Sequence, residues 1–194
     1  MGDNLFWQII GGFTFDKRET AYLNEVINKL TLMPESDIYE FEVILHRKKK
    51  KLCNWDCYGV NFLIDSYPDD EHFSDFRLWI ISRGEKFYNT FLENPEFVAE
   101  DILTAYNEDM PYLQGLFSIS GYSLLKQKGK TLTMDNMEEF HSPRENAFKV
   151  EGYGFVSDLT GNKWDSDEDL KERFPKIFDK TKGEYLRYKE RHGL

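Results

Sequence analysis

Apolar residues recur along this 194-residue chain mostly at intervals of three and four, the spacing that places side chains on one face of an α-helix. The longest such series passes through Gly84 and comprises Phe73, Phe76, Ile80, Phe87 and Phe91. It predicts one long helix over 73–91 at the centre of the fold, with its apolar ridge covered by neighbouring helices. Glycine costs about 1 kcal/mol in a helix interior, so Gly84 indicates a bend or the close approach of another helix.

Capping residues and prolines divide the rest of the chain into shorter predicted helices. Their expected starts are Asp3, the Asp16/Glu19 pair, Pro34, Trp55, Pro95, Pro111 and Asp165. Residues 128–163 lack a regular period, and a short β-hairpin near 147–157 is the one extended element that the sequence indicates. The sequence therefore predicts a mainly α fold, with a single compact multi-helix domain over 1–180 and a charged tail or helix over 181–194.

The charge balance argues against binding to nucleic acid, because 35 acidic residues oppose 25 basic ones and give a net charge of −10. Five consecutive cations at 47–51 are predicted to form a solvated helix end. No segment approaches the roughly 18 apolar residues of a membrane span, and the N-terminus lacks a basic signal-peptide region. Cys53 and Cys57 are four residues apart, which favours reduced thiols. We therefore expect a cytoplasmic protein without a cofactor that binds neither nucleic acid nor membrane.

Several short motifs occur along the chain in an order typical of a known family. They are Phe6-Trp7-x-Ile-Ile, Trp55-Asp56, Asp69-Asp70, the run Phe-Arg-Leu-Trp-Ile-Ile-Ser-Arg-Gly at 76–84, Asp169-Leu170 and Phe174-Pro175. Together they resemble a bacterial family known as domain of unknown function 4240, over most of the chain to about residue 180. The resemblance implies a mainly helical fold and brings no activity with it. The chain differs from the family at 66–68, where members usually carry Gly and Cys, and in a longer stretch between Leu125 and Trp164.

The densest polar cluster is the run Asp69-Asp70-Glu71-His72, followed by Asp75. Carboxylate oxygens with a histidine are ligands that a divalent metal uses in hydrolases. One hypothesis is therefore a metal site formed by Asp69, Asp70 and His72, with His72 and Asp75 as catalytic residues. The alternative is structural, because acidic residues in a first helical turn cap free N–H groups and complement the helix dipole.

Two arginines flank a tryptophan in the central predicted helix. Arg83 follows Trp79 by four residues, so its guanidinium can stack on the indole and keep donors for an anionic ligand. With Arg77 nearby, this predicts small-anion binding through Arg77, Trp79 and Arg83. The alternative is that a carboxylate from a neighbouring helix, such as Asp56 or Asp75, neutralises the arginines and fixes helix packing.

The leading functional hypothesis from the sequence is a noncatalytic domain that regulates or inhibits an unidentified protein partner. An acidic surface speeds association with a basic partner, and 16 Phe, 11 Tyr and 4 Trp suit interface anchors. The alternatives are a metal-dependent hydrolase centred on residues 69–75 and a small-anion-binding domain using Arg77 and Arg83. No phosphate-loop or nucleophile motif favours an enzyme.

Overall fold

The computed structural model describes residues 1–14, 17–65, 68–108, 111–152, 154–181, 190 and 193. Within those ranges the chain forms α1 (Asp3–Ile10), α2 (Glu19–Thr31), α3 (Glu35–Lys51), α4 (Trp55–Asp65), α5 (Asp70–Ser82), α6 (Glu85–Glu93), α7 (Ala99–Glu108), α8 (Ile119–Gln127), α9 (Met137–Glu151) and α10 (Asp167–Arg173). Residues 175–181 are also helical. The described residues contain no β-strand, only an isolated bridge between Asn54 and Thr160. The predicted mainly α fold is confirmed.

Local sequence signals explain where several helices begin. Pro34 precedes α3, as predicted, and the side chain of Asp69 caps α5 by accepting a hydrogen bond of 2.9 Å from the His72 amide. Asp3 is the first residue of α1 rather than its cap. Asp16, the predicted cap of the second helix, lies outside the described residues.

Helix α3 lies at the centre of the packing. It packs most extensively against α9 and also contacts α5 and α8, while α8 in turn packs between α9 and α2. The apolar stripe of α3 is fully enclosed, because Ile38, Phe41 and Leu45 are at most 1% exposed. Cys53 and Cys57 are buried free thiols, as the sequence indicated. In the part of the chain described, no helix is both long enough and apolar enough to cross a bilayer.

The prediction of one continuous helix over 73–91 is wrong, although its apolar ridge does lie in the core. Helix α5 ends at Ser82 and α6 begins at Glu85, with Gly84 between them at a φ of +92°. A side chain at Gly84 would place its Cβ 2.7 Å from the backbone oxygen of Gly11, at the end of α1. The turn therefore requires glycine, because its φ is positive and the backbone just after α1 leaves no room for a Cβ.

The predicted hairpin near 147–157 is also wrong. Residues up to Glu151 belong to α9, and Val156–Asp158 forms a 3₁₀ turn, while Tyr153 lies outside the described residues. Three side chains of α9, Phe140, Pro143 and Ala147, are buried at helical spacing. Packing of this face against α3 and α8 stabilises a helix that contains a proline. The predicted tail over 181–194 falls almost entirely outside the described residues.

Candidate functional site

A cavity of about 370 Å³ lies where α3, α5, the 114–118 turn, α9 and the segment after α9 meet. Its lining combines two cations, Lys49 and Arg77, with the carboxylates of Asp70, Glu71 and Asp75. The volume falls within the range of about 300–1,000 Å³ that is typical of small-molecule sites. The cavity is therefore large enough for a small organic ligand, and charged residues are among those that line its mostly apolar surface.

Lys49, near the C-terminal end of α3, is only 8% exposed. Its Nζ atom lies 3.3 Å from the hydroxyl of Ser74 and 5.1 Å from the centre of the Phe117 ring. Burial, and then the nearby charge of Arg77, lower the pKa of Lys49 to about 8. The amine is therefore mostly protonated at neutral pH. The prediction that the basic run 47–51 is a solvated helix end is wrong for Lys49 and also for Lys48, which is 7% exposed.

Arg77 is even more completely buried, at 1% exposure. Its guanidinium donates three hydrogen bonds to backbone carbonyls: Nε to Phe73 at 3.1 Å, Nη1 to Lys49 at 3.4 Å, and Nη2 to Gly154 at 2.8 Å. Burial lowers the pKa of Arg77, but a guanidinium remains protonated in proteins. The three carbonyls hold the cation rigidly at the cavity wall without neutralising its charge.

The carboxylates of the cavity differ in how they are held. Asp70 accepts a 2.7 Å hydrogen bond from the amide of Val156, and Glu71 accepts one of 2.9 Å from the side chain of Gln114. Asp75 is 9% exposed, and burial followed by the neighbouring charge of Glu71 raises its pKa to about 6. At neutral pH Asp75 therefore carries a negative charge that it would lose in mild acid.

Three aromatic rings complete the lining, Phe117, Phe148 and Phe155. Phe117 belongs to the 3₁₀ turn at 114–118, Phe148 to α9, and Phe155 to the segment that follows α9. The guanidinium of Arg144 lies 4.5 Å from the centre of the Phe117 ring, which fixes the ring at the cavity wall. These rings provide the apolar surface that a ligand body needs.

The structure separates the three residues predicted to bind an anion. Arg77 lines the cavity, whereas Trp79 is 2% exposed and packs against Phe87 at a centroid distance of 5.5 Å. Arg83 lies 5.7 Å above the Trp79 ring, the stacking expected from their spacing, and its Nη2 donates 3.0 Å to Asp101 of α7. A neighbouring carboxylate therefore does pair with an arginine here, but it is Asp101 rather than Asp56 or Asp75.

The polar residues at 69–75 have different structural roles. Asp69 caps α5, Asp70 holds the Val156 amide, and the Nδ1 of His72 lies 2.7 Å from Asp65. No group of three or more His, Cys, Asp and Glu side chains in the described ranges is arranged to hold a metal ion. The metal-dependent hydrolase hypothesis thus has no ligand cluster among these residues.

Sequence reasoning missed Lys49 and the aromatic walls of the cavity. A signal for Lys49 exists, because the spacing of the apolar stripe in α3 continues past Leu45 to this residue. Phe148 and Phe155 carry no such signal, since the segment that contains them shows no regular period.

The fold and the cavity together define an all-helical domain with a charged, aromatic-lined cavity between its helices. The chain belongs to the family described as protein of unknown function DUF4240, whose sequence model matches residues 1–122. The match is shorter than the likeness to about residue 180 that the motifs suggested. No curated protein and no solved structure matches the chain. All the charged residues of the cavity lie inside the matched part, whereas Phe148 and Phe155 lie beyond it.

Proposed function

We propose that this protein binds a small organic anion in the cavity lined by Lys49 and Arg77. The observation that carries the proposal is the burial of two cations whose hydrogen-bond partners are carbonyl and hydroxyl oxygens rather than carboxylates. A buried charge is costly unless a counter-charge compensates it. Glu42 and Asp75 lie near Lys49 without a contact ion pair. The carboxylate or phosphate of a ligand would therefore supply a direct counter-charge, and Arg77 still has donors to bind it.

The walls of the cavity indicate what the rest of the ligand is like. The cavity is lined by Phe117, Phe148 and Phe155. These rings would pack more favourably against a ring or a branched aliphatic group than against a small inorganic ion. The predicted anion site is thereby moved from the pair Arg77 and Arg83 to the pair Lys49 and Arg77, because Arg83 is engaged with Asp101.

Calorimetric titration with 3-phenylpropionate tests the proposal, since this probe is a carboxylate with one phenyl ring. We expect saturable one-to-one binding that weakens at least tenfold in a Lys49→Met variant, because an ion pair in a partly buried site is lost. Lys51→Met is the matched control, as Lys51 ends the same helix and is exposed. Absence of binding, or equal affinities in the Lys49→Met variant and the parent protein, would overturn the proposal.

The hypothesis of an unidentified, basic protein partner stays a prediction beside this proposal. Exposed apolar side chains are present, among them Leu32, Phe97 and Met134, which stand on three different segments of the chain. A regulatory domain that also binds a small anion is compatible with both ideas. Capture of a stoichiometric partner that dissociates when 3-phenylpropionate is added would connect the two.

A further inference from the structure

A second, more open cleft of about 620 Å³ adjoins the cavity. The two share Glu71, Asp75 and Gln114 as lining residues, and the second also contains Glu19 and His72. One side of the combined site is therefore cationic, at Lys49 and Arg77, and the other is predominantly acidic. Asp75 lies where the two parts meet.

Asp75 is 9% exposed as a whole residue, and no described residue donates a hydrogen bond to its carboxylate, whose oxygens are open to the site rather than enclosed by protein. The backbone oxygen of Asp75, by contrast, accepts a hydrogen bond of 3.3 Å from the Leu113 amide. A carboxylate in a largely buried residue normally has a donor or a cation as partner in the protein. Asp75 thus lines both parts of the site with a charge that the protein leaves without a direct partner.

The neighbouring charged groups do not fill this role. Glu19 and Glu71 repel a negative charge at Asp75, whereas Lys49 and His72 attract it without forming a contact ion pair. His72 is itself engaged, through its hydrogen bond to Asp65 and the stacking of its ring on Tyr112. A cation on the ligand would relieve the repulsion and give the Asp75 carboxylate a direct partner.

We infer that the ligand is a zwitterion of the α-amino-acid class, with its carboxylate at Lys49 and Arg77, its ammonium group at Asp75, and an apolar side chain against the phenylalanines. This inference rests on the proposed anion site and specifies its ligand. An ammonium group is a compact donor of three hydrogen bonds, which suits a carboxylate that has no other donor. An α-amino acid carries both charges on one carbon, and Asp75, Lys49 and Arg77 all line the same cavity.

Phenylalanine and 3-phenylpropionate form a matched pair of probes, because they differ only in the ammonium group. In calorimetric titrations at about pH 7.5 we expect the protein to bind phenylalanine at least tenfold more tightly than 3-phenylpropionate, since the ammonium group gains a buried ionic hydrogen bond. Equal affinities, or a preference for 3-phenylpropionate, would overturn the zwitterion inference and leave the anion site standing. If 3-phenylpropionate did not bind, the proposed function would fail as well, whatever the affinity for phenylalanine.

An Asp75→Asn variant tests whether Asp75 causes the preference for phenylalanine over 3-phenylpropionate. We expect its affinity for phenylalanine to fall at least tenfold, while its affinity for 3-phenylpropionate stays the same or rises, because a repulsive carboxylate has been removed. Asp135→Asn is the matched control, as Asp135 is exposed and lies outside both clefts. A variant that keeps the full preference for phenylalanine would contradict the role of Asp75. Because the two probes also report on the parent protein, the inference does not depend on the stability of the variant.

Discussion

Lys49 carries a charge that the fold has largely removed from water. Its pKa falls from 10.5 to about 8, so between these values the unfolded chain holds a proton that the folded chain has released. The free energy of unfolding therefore rises with pH across this window, relative to a variant with no titrating group at position 49. We expect Lys49→Met to be more stable than the parent at about pH 7, and this advantage to shrink by about 2–3 kcal/mol by about pH 10.

Urea unfolding of the parent and the variant at both pH values measures this change. Lys51→Met serves as the control, because the Lys51 side chain is exposed and its replacement leaves the pH dependence as it is in the parent. A stability difference between Lys49→Met and the parent that stays constant with pH would contradict the burial of a charged Lys49.

The sequence indicates a binding role for one of the two cavity cations, Arg77, but not for the other, Lys49. Arg77 stands in a recognisable motif and was predicted to bind an anion, but its three carbonyl partners come from Phe73, Lys49 and Gly154, and two of these are distant in sequence. Lys49 stands in a run of cations and was interpreted as solvated. The periodicity of the helix was the better guide, because a helical face continues beyond its last apolar residue.

The turn between α5 and α6 depends on the conformation of Gly84. We expect Gly84→Ala to lower the free energy of unfolding by about 2–3 kcal/mol, because alanine is strained at a φ of +92° and its Cβ would meet the Gly11 oxygen at 2.7 Å. Thermal unfolding followed by circular dichroism measures the effect. Gly2→Ala is the control, since a Cβ there meets nothing within 4 Å. Equal loss in both variants would show that the turn is not the cause.

At the level of elements, sequence periodicity located most helices but not all their ends. The apolar period continues from Phe73 to Phe91 because α5 and α6 both bury a face in the same core, so the pattern alone does not reveal the break. Gly84 also lies against the backbone of Gly11, just after α1, and this tertiary contact cannot be read from the local pattern. Helix α9 was missed for a related reason, since its packing against α3 outweighs the unfavourable Pro143.

At the level of the whole molecule, the fold class was predictable because helical periodicity is a local property of the sequence. The cavity was not, because its wall joins α3 to α5, to the 114–118 turn and to Phe155, which is more than a hundred residues from Lys49. Burial of the cations is likewise a result of the assembled helices rather than of any one segment. The site is therefore a tertiary property, although most of its charged residues stand in recognisable sequence motifs.

Because the core depends on contacts between distant segments, we predict that residues 1–122, which the family model matches, do not form a stable unit alone. A fragment of residues 1–122 lacks α9, most of α8, and with them the buried side chains Leu124, Phe140 and Ala147. The face of α3 that α9 covers would be exposed, at a cost of about 25 cal/mol for each Å² of apolar surface. We expect this fragment to lose the cooperative thermal transition of the full chain in circular dichroism, and to bind neither phenylalanine nor 3-phenylpropionate. A fragment of residues 1–181 retains α9 and should keep both the cooperative transition and the binding. If the shorter fragment unfolded cooperatively within a few degrees of the full chain, the central position of the α3–α9 contact would be contradicted.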